Sequence, residues 1–280
     1  MGTLGTRGGA VAYEWITDAL EETWDAIDRL LSSLSPERYD APTPCPGWSV
    51  RDVLSHLVGF ELLIQGQAAP EGDVSGADHV RNAIGELNER FVAARRAMPG
   101  ADVLEEFREV SASSLVRLRA LSAQQWETPG WSPEGEVPLH RFQETRILDS
   151  WIHLQDLRDA LAEPEDDHGP GEEIVVNRFE AAMPFVFARR AGAPEGSTLR
   201  LNLVGRLART VLLEVRDGRG HAVGSLGGEP SVEMTTPVAL FWRRAAGRIS
   251  AAAFLAASAT DVRGDRALAS AFAEAMAIMI

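Results

Sequence analysis

Through the first half of the chain, apolar residues recur every three or four positions, the period of a helix with one buried face. Between residues 11 and 34 they are Trp15, Ile16, Leu20, Trp24, Ile27, Leu30 and Leu31. Pro42, Pro44 and Pro46 then remove backbone donors and bias their predecessors toward extended conformations, so residues 41–48 form a structured loop. Ser49 reads as the cap of a second helix over 50–67, with the Asp52 carboxylate in its first turn. After a loop at 69–76, a third helix is expected over 77–98, ended by Pro99 and Gly100. A further helical stretch covers 103–121, with Leu104, Phe107, Val110, Leu115 and Leu118 as its core side. Pro129, Gly130 and Pro133 make 125–138 a loop, and a long helix follows over 139–161. Principal helices of this length with short connections predict an antiparallel four-helix bundle.

The texture changes after residues 163–171, an acidic stretch with two prolines and two glycines that reads as a linker. The expected domains are therefore 1–164, all helical, and 165–280, smaller and mixed. In the second, a helix over 172–190 precedes alternating, β-branched runs at 199–204 and 211–215, with shorter strands at 222–226 and 231–234. Pro237 opens a helix to about residue 246, and Asp265 caps a last one. The fold class is α+β.

A formal charge of −14 and basic residues scattered along the helices exclude nucleic acid as a partner. No apolar run reaches the roughly 18 residues that span a bilayer, and the first residues lack a signal core, so a cytoplasmic protein without a membrane partner is expected. Met1, Gly2 and Thr6 match an N-myristoylation pattern too loose to carry weight. Cys45 is the single cysteine. That excludes an internal disulfide and a cysteine-rich zinc site, and Cys45 reads as a buried thiol.

The helix over 139–161 carries the chemistry. Its apolar residues fall on nearly every side, which predicts burial on several faces, yet Arg146, Asp149, His153 and Asp156 collect in one arc of about 80°. Ionisable groups on a buried helix must be paired, neutralised or metal-bound. Asp149 and His153 stand four apart and point the same way, and His56 on the second helix is flanked by Asp52, Val53, Phe60 and Leu63, which turns it inward. Two imidazoles and a carboxylate suit zinc or another first-row divalent ion and leave a coordination position open for catalysis. Against this, a lone histidine on an apolar face is more often a hydrogen-bonded core residue, and Arg146 with Asp149 can form a plain ion pair. His79, His140, His168 and His221 sit beside loops or turns, where the bland reading holds. Spacing alone leaves both readings open.

The run from Thr43 through Cys45, Gly47, Trp48, Asp52 and His56 to Leu57 resembles the opening motif of the mycothiol-dependent maleylpyruvate isomerase family, part of a wider DinB-like helical group. Asp149, His153 and Asp156, in the run 149–158, resemble the family's carboxylate, three residues, histidine, two residues, aspartate signature. The second half is more loosely similar to the family's sterol-carrier-like domain, with Arg248 matching an arginine that the family uses near its substrate. The family's metal carboxylate is ordinarily glutamate, so Asp149 is one methylene short, and Glu144 lies about 140° around the helix from it and cannot substitute.

The resemblance implies a divalent metal, zinc first, held by His56, Asp149 and His153, and mycothiol as the thiol co-substrate. Asp156 would orient the thiol or a ligand histidine, or move a proton, and Arg248 would grip the carboxylate of a small acidic electrophile. The implied reaction is thiol addition to a cis enediacid, bond rotation and elimination to the trans isomer. A mycothiol S-transferase acting on electrophiles, and a metal- or small-molecule-binding module without turnover, are the alternatives.

Overall fold

The computed structural model describes residues 13–164 and 169–279. The residues of the myristoylation pattern, the start of the first expected helix and part of the expected linker with His168 lie outside the described residues. The chain divides into two compact units, the first ending at Ile174 and the second beginning at Val175.

In the first unit the helices are α1 (Glu14–Leu31), α2 (Val50–Ile64), α3 (Ala83–Ala93), α4 (Gly100–Arg119), the single turn α5 (Ala123–Trp126) and α6 (Leu139–Leu161). Helix α1 buries Ile16, Leu20, Trp24, Ile27 and Leu31 of the stripe that its periodicity predicts, whereas Trp15 is exposed and Leu30 half-buried. Ser49 and Asp52 close a reciprocal capping box at the start of α2: the Asp52 carboxylate accepts from Ser49 N at 2.9 Å, and Ser49 Oγ accepts from Asp52 N. A ring of packed pairs, α1 on α4, α4 on α2, α2 on α6 and α6 on α1, encloses one core, and α3 lies against α2. Gly59 permits that last approach, because a Cβ there would stand 2.3 Å from Phe91 Cβ.

Two expectations for this unit need correcting. The third helix is far shorter than 77–98, starting where Asn82 accepts from Gly85 N at 2.9 Å, and the fourth member of the ring is α4. Residues 125–138 are not all loop. They hold the end of α5 and a hairpin of β1 (Pro129–Ser132) and β2 (Gly135–Pro138), paired antiparallel from Pro129↔Pro138 to Ser132↔Gly135. Strands of four residues with one large apolar side chain, Trp131, show no alternation for a sequence reading to detect.

The second unit begins within α7 (Pro170–Phe185), which continues as a π-helical turn over Val186–Arg190. Its sheet has the order β5 (Arg219–Ala222), β4 (Arg209–Arg216), β3 (Thr198–Val204), β6 (Val232–Pro237), β7 (Asp261–Gly264). Only β3 and β6 run parallel. Inward positions Leu199, Leu201, Leu203, Leu213, Val215, Val232 and Met234 are buried. Helices α8 (Val238–Ala245), α9 (Ala251–Ala256) and α10 (Arg266–Ala275) complete the unit, and Asp265 caps α10 through Ala267 N and Leu268 N. The strand expected at 222–226 instead ends at Ala222, where its pairing with β4 stops. Strand β7 carries no sequence signal, because Val262 is its single apolar side chain and its existence depends on the backbone of β6.

Candidate metal centre

His56 projects from the middle of α2, and Asp149 and His153 project from consecutive turns of α6. Their donors converge. His56 Nε2 is 3.1 Å from Asp149 Oδ2, His153 Nε2 is 3.6 Å from Asp149 Oδ1, and the three residues each offer an atom within 4.8 Å of the others. Two ligands about 2.1 Å from a tetrahedral ion stand about 3.4 Å apart, so these separations bracket what a zinc-sized ion needs. The imidazoles are buried, with side chains 6% and 5% exposed, whereas the Asp149 side chain is 23% exposed. Access from solvent is therefore on the carboxylate side.

The two histidines are held differently. His153 Nδ1 lies 3.0 Å from Asp156 Oδ2 and 3.8 Å from Cys45 Sγ. A proton on Nδ1, donated to Asp156, leaves the Nε2 lone pair for an ion. His56 Nδ1 is buried with no hydrogen-bond partner among the described residues. Burial opposes a charge on His153, but the Asp149 carboxylate and the bonds to Asp156 and Cys45 outweigh it, so without an ion its pKa is pushed up to about 10. An arriving metal must displace that proton.

Trp48 closes one side, its ring centroid 5.1 Å from that of His56 and 6.2 Å from that of His153. Its Nε1 donates to Glu89 Oε2 at 2.9 Å, the same oxygen that His79 Nε2 meets at 2.8 Å. Arg96 bridges Glu89, at 2.7 Å, to Asp52, at 3.3 Å. Burial raises the Glu89 pKa, but the bonds from Trp48 and His79 and the Arg96 charge prevail and hold it below the usual carboxylate value. On the far side Phe60 packs edge to face with Phe142 and lies 6.2 Å from His56.

Arg146, grouped with the site by its position on the helix, turns elsewhere. It pairs with buried Glu61 on α2, which also accepts from Ser114 Oγ at 2.5 Å, and it lies over the Trp24 ring at 5.4 Å. Asp156 is 1% exposed and so is not a surface residue. Arg248 belongs to the second unit, where its Nη1 donates to Ala246 O at 2.9 Å just beyond α8. The sequence reading gave Cys45 and His79 no part here. Both come from loops, and only folding brings them to α6 and to Trp48.

Residues 20–158 match the family model described as the mycothiol maleylpyruvate isomerase N-terminal domain. The first unit belongs to that family. An uncharacterized protein of Mycobacterium tuberculosis, found in two strains, is 25% identical to the chain over 172 residues, covering 60% of this chain and 78% of its own length. The crystal structure of a mycothiol-dependent maleylpyruvate isomerase superposes with a TM-score of 0.59 at 17% identity, covering 89% of this chain and 92% of that one. A histidine-to-alanine mutant of that enzyme gives 0.58, over 85% and 90%. The likeness to these solved structures is one of fold. Membership in the isomerase domain family agrees with the two motifs at 43–57 and 149–158, both of which lie in or against the convergent cluster. No described helix is long and apolar enough to cross a membrane.

Proposed function

We propose that the protein is a divalent-metal-dependent, mycothiol-dependent enzyme whose reaction is cis/trans isomerisation of a small electrophilic acid, as in maleylpyruvate isomerase. The observation that carries the reading is the convergence of His56 Nε2, Asp149 and His153 Nε2, open on the carboxylate side, within a domain of this family. The three residues would hold the ion, zinc being the best match to the donor set. A bound divalent ion stabilises thiolate over thiol and so supplies a nucleophile at neutral pH.

The chain's residues do the rest. Asp156 keeps the His153 ring oriented through Nδ1. Trp48 and Phe60 exclude water from the imidazole faces. Arg248 grips a substrate carboxylate. In the isomerisation the thiol sulfur bonds to one alkene carbon, the π electrons move into the adjacent carbonyl, and rotation about the new single bond follows. Elimination then breaks the C–S bond and returns the thiol, with no net redox change.

Cobalt substitution followed by mycothiol titration tests this. A saturable thiolate-to-cobalt absorption band is expected in the wild type and lost in His153→Ala, and its absence from cobalt-loaded wild type would overturn thiol activation. Product analysis with maleylpyruvate then separates a trans isomer from a retained thioether, the outcome for a mycothiol S-transferase. Arg248→Ala should keep the cobalt band and lose about 30-fold or more in kcat/KM, the cost of removing a charged hydrogen-bonding partner of the substrate carboxylate. Unchanged kinetics would retire that role.

A further inference from the structure

The loop between the first two helices is built more tightly than a connection requires. Pro42 and Ser49 form an isolated antiparallel bridge, Thr43 N and Thr43 Oγ1 both donate to Trp48 O, at 3.0 and 2.8 Å, and Trp48 N donates to Cys45 O at 3.1 Å. Cys45 N donates in turn to Thr43 Oγ1 at 3.2 Å. Gly47 makes the turn at φ +78°, where a Cβ would stand 2.4 Å from His79 Nδ1. These bonds fix where the Cys45 side chain ends. It ends buried, with Sγ 3.2 Å from Asp156 Oδ2 and 3.8 Å from His153 Nδ1.

Asp156 Oδ2 thus accepts from two protons, one on sulfur and one on the imidazole. A thiol is a weak donor, but to a buried carboxylate its bond is charge-assisted and is not exchanged with water. It restrains the oxygen that orients His153. We propose that Cys45 is a positioning residue for the metal centre: its thiol holds the Asp156 carboxylate, and through it the His153 ring, with Nε2 turned toward His56 and Asp149. The inference rests on those three residues being the metal ligands. Cys45, His153 and Asp156 also offer donor atoms within 4.8 Å of one another, a set that could take a second ion. With the first ion bound, that arrangement requires a thiolate and an imidazole deprotonated on both nitrogens, whereas the 3.2 and 3.0 Å contacts are ordinary hydrogen-bond separations.

Cys45→Ser and Cys45→Ala decide the matter because the two roles rank them oppositely. If Cys45 only fills space, alanine is tolerated and the more polar serine is worse. If it positions Asp156, serine keeps the donor and alanine loses it. Cobalt titration of the full-length protein should give one equivalent in all three proteins, with affinity about tenfold weaker in Cys45→Ala and near wild type in Cys45→Ser, as for residues supporting a ligand histidine. Equal affinities, a weaker serine variant, or a second equivalent lost in both variants would overturn the proposal. A wild type that binds no cobalt would remove the ligand reading and with it the role of Cys45 at a metal centre, and a metal-free measurement then judges separately whether Cys45 holds Asp156 and His153. In 15N-labelled apoprotein the His153 Nδ1–H resonance should exchange slowly in wild type and Cys45→Ser and faster in Cys45→Ala. Identical exchange in all three would retire the positioning role.

Discussion

Asp149 serves both histidines with one carboxylate, Oδ2 toward His56 and Oδ1 toward His153, so its short side chain already reaches across the cluster. His56→Ala and His153→Ala should each reduce bound metal from stoichiometric to trace while the far-ultraviolet helical signal persists, and full occupancy in either would remove that residue from the site. Asp149→Glu should retain metal, since it restores the family's usual ligand type. Arg146 has a different job. It and Glu61 form a buried pair joining the two ligand-bearing helices, so Arg146→Ala should lower stability to urea by about 3 to 5 kcal/mol by stranding the Glu61 charge. Combining Arg146→Met with Glu61→Leu should recover most of that loss, and a double variant as unstable as the single one would show that shape, not charge, sets the cost.

At the scale of elements, α3 and the segment before it brace the site through Glu89, which fixes Trp48, His79 and Arg96 together. Because its folded pKa is lowered, Glu89 contributes stability that is present above its unfolded pKa and lost as pH falls through the folded value. Glu89→Gln should therefore cost about 2 kcal/mol at neutral pH, the worth of hydrogen bonds to a buried charge, and should flatten the acid limb of the stability profile. Equal losses at pH 7 and pH 3 in urea melts would contradict this. The Trp48 side of the clamp was legible beforehand only as a tryptophan in a proline-rich loop. Glu89 carried no signal, because a glutamate on a short amphipathic helix is normally solvated, and its burial follows from α3 docking on α2 at Gly59.

For the whole molecule, the first unit reaches further along the chain than the expected boundary at 164. Ile174 packs against the bundle core, and Gly171 lies so close to Trp151 that a Cβ would stand 2.5 Å from its ring. A fragment ending at 174 should bind one equivalent of metal, whereas one ending at 164 should lose about 2 kcal/mol of apolar burial and melt about 4 to 8 °C lower. Equal melting temperatures would place the boundary at 164 after all. The sequence by itself determined the long helices α1, α2, α4 and α6, the cap at Ser49 and the change of texture between the halves, and with the family motifs it nominated His56, Asp149 and His153 as one cluster. The helices are written in local periodicity, the cap in a reciprocal side-chain-to-backbone bond, and the Asp149 and His153 pair in an i, i+4 spacing on a helix too apolar to be exposed. Tertiary structure alone decided that Arg146 pairs with Glu61, that α4 and not α3 completes the ring, that β7 exists, and that Cys45 reaches Asp156. These contacts join residues distant in the chain, and no local period records which buried charge, strand edge or thiol a fold will bring together.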